Sequence, residues 1–157
     1  IQLGATTPSY DMEHEENETF PTEHITRELI ETALQQFIGD IEQVPPTYSA
    51  VKVNGQRAFD YRRNGEDIVL KPKNIRIDEI EITHFDADRM QLTLRVVCGK
   101  GTYIRALARD LGRAINSGAY LVALRRTRIG NIKVEECINY DHFNEWLNQQ
   151  NIEIVDK

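Results

Sequence analysis

The feature that most constrains the fold is a strand that runs through a glycine turn directly into a helix. Residues 90–98 alternate apolar and polar side chains, which predicts a half-buried β-strand because successive strand side chains point to opposite faces. Glycines on both sides of Lys100 then turn the chain, and residues 102–115 carry apolar side chains at helical spacing. This order of strand, turn and amphipathic helix predicts a sheet that carries a helix.

Further helices are predicted on both sides of this unit. Apolar residues recur at helical spacing between Thr26, a candidate N-cap, and Gly39, a candidate helix end. A short helix is predicted at 58–63, and an amphipathic helix near Asp141. Residues 1–21 are polar, acidic and without periodicity, so we predict an irregular, exposed segment there.

Further strands are also predicted. Residues 48–53 form a candidate strand, and Asn54-Gly55 after them predicts a hairpin turn. Within 68–85 the alternation changes phase, which predicts a β-bulge or a break between Ile77 and Ile80. The whole pattern predicts an α+β fold, with a mostly antiparallel mixed sheet flanked by helices.

Length and composition limit the class of protein. The 157 residues are 40% hydrophobic and 28% charged, which is typical of one globular domain. No apolar run reaches the roughly 20 residues that span a bilayer, and Cys98 and Cys137 are too few for a disulfide framework. We expect a cytoplasmic monomer without a metal site. Since the chain begins at Ile1 without a methionine, we also expect it to continue a longer protein.

Charge is distributed unevenly along the chain. Residues 1–42 carry ten acids against one base, whereas residues 95–133 carry nine bases against one acid, Asp110. A basic block of this kind is typical of a face that binds a polyanion such as RNA, even though the net charge is −6. A solvated face that balances acidic neighbours explains the same block equally well.

The glycine turn is the best candidate for chemistry. A helix start directs free N–H groups toward an anion, but the spacing of a phosphate-binding loop is absent, which excludes a nucleoside triphosphatase. Tyr103 and Arg105 lie in the first helical turn, where an aromatic ring can stack on a base and a guanidinium can bind a carboxylate or phosphate. Arg105, Arg109 and Arg113 form a stripe at i, i+4 and i+8. A solvated stripe and a core tyrosine are the alternatives.

Four segments in the same order resemble the B-type tRNA pseudouridine synthases. Residues 98–105 read CGKGTYIR and continue into DLG at 110–112. Residues 3–11 read LGATTPSYD, and residues 43–55 read QVPPTYSAVKVNG. Residues 118–130 begin with GA and contain LRR before a final glycine. Each segment is moderately specific, but four in register over about residues 3–130 are a strong match.

The resemblance implies the pseudouridine synthase fold and an enzyme that flips a T-loop uridine out of tRNA and isomerises it, without cofactor or metal. It places Tyr103 near the base, Arg105 against the catalytic aspartate, Asp11 in a supporting network and Leu124 in the apolar wall. It also implies a set of basic residues near the tRNA, which consists of Lys52, Lys100, Arg109, Arg113, Arg125 and Arg126.

The chain also departs from the family pattern. The family's nucleophilic aspartate precedes its L-G-x-x-T segment, so we interpret residues 1–157 as the C-terminal portion of the catalytic domain, inactive by itself. No complete accessory RNA-binding domain is expected after about residue 140. One alternative is a non-catalytic RNA-binding module that uses the 95–133 block, and another is a protein-interaction domain with a solvated basic face.

Overall fold

The computed structural model describes residues 1–48, 52–53, 56–57 and 70–149, with the backbone alone at 52–53 and 56–57. The chain forms two compact units, Ile1–Ala123 and Leu124–Lys157. Both β-strands and α-helices are present, which confirms the predicted α+β class. The predicted short helix at 58–63 lies outside the described residues.

The first unit is built on a five-stranded antiparallel sheet with the strand order β4-β7-β8-β1-β9. Its strands are β1 (Gln2–Leu3), β4 (Gly39–Gln43), β7 (Lys73–Asp86), β8 (Gln91–Cys98) and β9 (Ala119–Tyr120). Two small hairpins accompany the sheet: β2 (Ala5–Thr6) with β3 (Glu18–Thr19), and β5 (Lys52–Val53) with β6 (Gln56–Arg57). The pairing of β5 with β6 confirms the hairpin predicted around residues 54–55.

The β7–β8 hairpin contains the strand predicted at residues 90–98. Its register runs from Ile77 opposite Cys98 to Asp86 opposite Gln91. The register shifts between Ile77 and Glu79, which confirms the predicted bulge. A bulge turns the side chains that follow it to the other face, so both apolar phases of β7 can contribute to the core.

Helix α1 (Arg27–Leu34) begins where the sequence indicates. The Thr26 side chain accepts a hydrogen bond from the Leu29 N–H at 3.2 Å, which satisfies one free donor of the first turn. A 3-10 turn, Gln35–Phe37, extends the helix. Gly39 then adopts φ +101°, a conformation that favours glycine, and opens the edge strand β4. The sequence did not predict this strand.

Helix α2 (Ile104–Ala114) packs on the sheet through its apolar stripe. Leu107, Leu111 and Ile115 are at most 1% exposed. A Cβ added at Gly112 would lie 2.5 Å from the Ala119 nitrogen, so glycine is required for the helix to approach β9 this closely. The helix axis is therefore fixed by the core, and its first turn lies beside the edge strand.

The prediction of an irregular, exposed segment over residues 1–21 was wrong for its first half. β1 is part of the central sheet, and Leu3, Thr7 and Ser9 are at most 2% exposed. Two-residue strands are too short to show a period, so this order cannot be recognised from alternation. Residues 12–19 are exposed, as predicted.

The second unit holds a short hairpin and a helix. Strands β10 (Arg128–Ile129) and β11 (Ile132–Lys133) pair, two 3-10 turns follow at Val134–Glu136 and Tyr140–His142, and α3 covers Phe143–Gln149. Helix α3 confirms the helix predicted near Asp141. Within the described ranges, no helix of either unit is long and apolar enough to cross a membrane.

Candidate functional site

Arg105 is the centre of a polar cluster at the first turn of α2. Its Nη1 donates to the Ser9 carbonyl at 3.1 Å and to the Asp11 Oδ2 at 2.9 Å, and its Nη2 donates to the Tyr48 carbonyl at 2.7 Å. The Arg105 and Asp11 side chains are 24% and 20% exposed. Because partial burial limits screening by water and three contacts fix the guanidinium, its orientation is well defined.

Asp11 is held from several directions at once. Its Oδ1 accepts from the Ser9 hydroxyl and from the Glu13 N–H, and its carbonyl accepts from the Thr7 hydroxyl at 2.6 Å. Thr7 and Ser9 are buried, at 2% and 0% exposure. The loop after β2 therefore holds the Asp11 carboxylate in a fixed position next to Arg105.

His14 and Tyr48 border this cluster. The His14 Nδ1 lies 3.0 Å from the Ser9 Oγ, and the His14 and Tyr48 ring centroids are 4.9 Å apart. Hydrogen bonds thus connect His14, Ser9, Asp11 and Arg105 in a continuous chain. The cluster joins three segments that are distant in sequence: the loop after β2, the segment after β4 and the start of α2.

Tyr103 is the N-cap of α2, and its backbone is held by one buried side chain. The Gln43 Oε1 accepts from the Tyr103 N–H at 2.8 Å, and the Gln43 Nε2 donates to the Tyr103 carbonyl at 3.2 Å. Gln43 is 2% exposed, whereas Tyr103 is half-buried. One of the N–H groups expected to face an anion at this helix start is therefore already occupied.

The three arginines of α2 share a stripe, as predicted, but differ in their environments. Arg109 is 6% exposed and donates to both Asp110 carboxylate oxygens, at 2.7 and 3.0 Å, and to the Val44 carbonyl at 2.9 Å. Its guanidinium also lies 5.2 Å from the centre of the Tyr10 ring, within reach of a cation–π contact. The Arg113 side chain is 68% exposed.

An open cavity of about 430 Å³ adjoins these arginines. It is lined by Tyr10, Val44, Pro45, Thr47, Leu70, Pro72, Arg109 and Arg113. Arg105 and Tyr103 do not line it, so the cavity lies beside the polar cluster and not at its centre. Within the described part of the chain, no group of three or more His, Cys, Asp or Glu residues is arranged to hold a metal ion.

The basic block does not form one uniform face. Arg95 pairs with Glu79 at 2.7 Å on the β7–β8 hairpin, while Arg105 and Arg109 pair with Asp11 and Asp110. Lys100 is exposed in the glycine turn, where Gly101 has φ +85°. Several of these basic side chains therefore form intramolecular ion pairs. This weakens the interpretation of 95–133 as a single RNA-binding surface.

The predicted site residues are divided between the two units. Arg105 and Asp11 are in contact, and Tyr103 lies two residues away from Arg105 at the same helix start. Leu124, Arg125 and Arg126 belong to the second unit, where Leu124 is 62% exposed. Lys52 lies in β5, and its side chain is outside the described residues.

Sequence reasoning missed several members of the cluster. Ser9 and Tyr48 contribute backbone carbonyls, which have no signature in a sequence, and His14 carries no recognisable spacing. Gln43 stands in the QVPPTYSA segment that was used for the resemblance, but no role was assigned to it. The available signal was a polar residue two positions before the Pro45-Pro46 pair, within a segment that matches the family.

Two family models match consecutive parts of the chain. Residues 1–104 match the model described as TruB family pseudouridylate synthase (N terminal domain). Residues 105–155 match the model described as tRNA pseudouridylate synthase B C-terminal domain. The boundary between the two matches falls inside α2, whereas the two compact units divide after Ala123.

Relatives and a solved structure resemble most of the chain. A protein of Phocaeicola vulgatus named tRNA pseudouridine synthase B is 59% identical over 99% of this chain and 65% of its own length. The protein of the same name from Bacteroides thetaiotaomicron is 55% identical over 98% and 65%. A chain in the crystal structure of a Cbf5-Nop10-Gar1 complex superposes with a TM-score of 0.61 at 28% identity, over 84% of this chain and 36% of that one. This chain therefore spans 65% of the length of each of the two relatives.

Proposed function

The chain belongs to the TruB family of pseudouridylate synthases, and from this premise we propose that the full-length protein isomerises a T-loop uridine of tRNA to pseudouridine. The reaction breaks the N-glycosidic bond, turns the base and rejoins it to the ribose through carbon. The names of the relatives support tRNA as the substrate. We propose that the protein acts as a cytoplasmic monomer and uses neither a cofactor nor a metal.

The arrangement of Arg105 is the observation that carries the proposal. A guanidinium fixed by two carbonyls and one carboxylate is a rigid positive charge, 24% exposed, at the start of a helix. Such a charge favours the ionised form of a carboxylate placed next to it and limits its rotation. An isomerisation that needs a nucleophilic carboxylate in one orientation requires this kind of support.

We assign supporting roles to four residues of this chain. Arg105 orients the nucleophilic aspartate, which we place in the remaining part of the full-length protein, and Asp11 orients Arg105. Tyr103 lies at the helix start, where its ring can contact the flipped base. Leu124 contributes to the apolar wall of the pocket. The unstacking of the uridine costs a few kcal/mol, which these contacts must recover.

Contacts with tRNA phosphates are proposed for basic residues outside the polar cluster. Lys100 and Arg113 are exposed and therefore available to RNA, and we include Lys52, Arg125 and Arg126 on the basis of the family resemblance. Arg109 is buried against Asp110 and Val44. We therefore propose that it supports RNA binding indirectly, by holding the segment around Val44 in place. Binding should weaken as salt rises, because phosphate contacts release counterions.

The direct test is to incubate the full-length protein with a tRNA transcript and map pseudouridine by a chemical method that detects it at single positions. The expected product is pseudouridine at one T-loop uridine, and none in a transcript in which that uridine is replaced by cytidine. Binding of the transcript without any pseudouridine would instead support the alternative, a non-catalytic RNA-binding module.

A further inference from the structure

We propose that Gln43 is a positioning residue of this reaction, which sets the place of Tyr103 and, through the helix start, the place of Arg105. This inference rests on the proposed function. It starts from an unusual feature: a neutral amide is almost fully buried, and both of its polar ends bind the backbone of a single residue 60 positions away.

The two hydrogen bonds define the conformation of Tyr103. The carbonyl oxygen of Gln43 accepts from the Tyr103 N–H, and its amide nitrogen donates to the Tyr103 carbonyl, as a neighbouring β-strand would. Tyr103 itself is extended, with φ −99° and ψ 107°, and its side chain makes no capping hydrogen bond. Gln43 therefore holds the residue at which the chain changes from extended to helical.

Residues 44–48, which follow Gln43, hold it in place. Pro45 and Pro46 are fully buried, and their rings restrict φ, so little freedom is lost when the segment is ordered. The Val44 carbonyl accepts from Arg109, and the Tyr48 carbonyl accepts from Arg105. Three residues of the segment 43–48 thus bind α2 or its N-cap. Of these, Gln43 is the residue that binds the N-cap, Tyr103.

Positioning differs from general support of the fold. The core of α2 is held by apolar packing at Leu107, Leu111 and Ile115, which belong to the two hydrophobic clusters of the first unit. Loss of the Gln43 contacts therefore leaves the helix axis in place but frees the Tyr103 backbone. A shift of about 1 Å in a reacting group can lower a rate about a hundredfold, without a comparable change in affinity.

The test uses two variants of the full-length protein. Gln43→Met keeps the length of the side chain and removes both hydrogen bonds. Gln43→Glu keeps the acceptor for the Tyr103 N–H but, when ionised, cannot donate to the Tyr103 carbonyl. A protonated carboxyl group can donate, and burial favours that form, so the rate of this variant relative to wild type should rise as pH falls.

We expect the single-turnover rate of Gln43→Met to fall about a hundredfold, with the Kd for tRNA within about twofold of wild type because phosphate contacts supply most of the affinity. Gln36→Met is the chemical control, because Gln36 also donates from its amide to a backbone carbonyl, that of Ala33, outside the site. Ile30→Val is the stability control, since it removes one methyl group from the core cluster that contains Leu111 and Ile115, at the other end of α2. Both controls should keep the wild-type rate per folded molecule.

Rates within about twofold of wild type for both Gln43 variants would overturn the inference. Failure of both variants to fold would also overturn it, because Gln43 would then be a structural residue only. An inactive wild-type protein is a different result: it contradicts the proposed function, whereas active wild type with unaffected variants contradicts only the role of Gln43.

Discussion

The two ends of helix α2 are held in place by different forces. At the C-terminal end, Leu111 and Ile115 are fully buried and Gly112 lies against Ala119. At the N-terminal end, Tyr103 and Arg105 are only half-buried. Polar contacts with the loop after β2 and with residues 43–48 hold them in place.

This difference separates stability from orientation. Apolar packing is non-directional and stabilises the fold in proportion to the area that is buried. Hydrogen bonds and ion pairs add less net stability, but they fix the direction of a group. We therefore expect changes at the end of α2 to lower the free energy of unfolding, and changes at its start to lower the rate of reaction.

Arg105→Ala should produce the largest effect on activity. It removes the fixed positive charge, and the rate of pseudouridine formation by the full-length protein should fall at least about a hundredfold. The loss of stability should be about 1.5–3 kcal/mol, the range for hydrogen bonds to charged groups, so the fold is retained. Single-turnover kinetics and denaturant unfolding measure the two effects.

Arg105→Lys sharpens this prediction. Lysine keeps the charge but cannot reproduce the planar, forked contact with Ser9, Asp11 and Tyr48. We expect most of the activity to be lost in this variant as well. Near-normal turnover in either variant would contradict the role assigned to Arg105.

Gly112→Ala should lower stability without changing the rate of reaction. The added Cβ would meet the Ala119 nitrogen at 2.5 Å and the Gly118 carbonyl carbon at 2.6 Å, both of which belong to the backbone. Overpacking of this kind costs about 1–3 kcal/mol, more than alanine gains from its helix propensity. Unfolding in denaturant checks the loss. The rate per folded molecule should not change, and a large drop in it would mean that the two ends of α2 are not separable.

Asp11→Asn should produce an intermediate effect. Asparagine keeps an oxygen for the Ser9 hydroxyl and the Glu13 N–H, but the ion pair with Arg105 is lost. We expect the rate to fall about tenfold, equivalent to about 1.4 kcal/mol of transition-state stabilisation. The kinetic assay used for Arg105 measures this change, and a rate within about twofold of wild type would contradict the supporting role assigned to Asp11.

Arg113→Ala should produce the smallest effect. The side chain is 68% exposed and lies 3.9 Å from Asp110, so the change in stability should stay within about 0.5 kcal/mol. If Arg113 binds a phosphate, the slope of log K against log salt should decrease by about one. An unchanged slope would remove Arg113 from the RNA-binding set.

The sequence predicted those elements in which the hydrophobic repeat extends over many residues. The strand at 90–98, the bulge in β7 and both helices of the first unit were recognisable because several residues repeat at one spacing. The two-residue strands β1 and β2 were not, since alternation needs more residues than they contain. The burial of Ser9, in the loop after β2, was equally hidden in the sequence.

The sequence predicted only those members of the site that act through their side chains. The motif identified Tyr103, Arg105 and Asp11, and the structure places the last two in contact. The backbone carbonyls of Ser9 and Tyr48 could not be predicted, because every residue has a carbonyl. The different environments of Arg109 and Arg113 also arise from tertiary packing: Val44 and Asp110 surround one arginine and leave the other exposed.

Pseudouridine mapping in tRNA transcripts treated with the full-length protein tests the central claim most directly. The account predicts pseudouridine at one T-loop uridine with wild-type protein, and at least about a hundredfold slower formation with Arg105→Ala at equal tRNA occupancy. Wild-type protein that binds the transcript but leaves every uridine unmodified would contradict it.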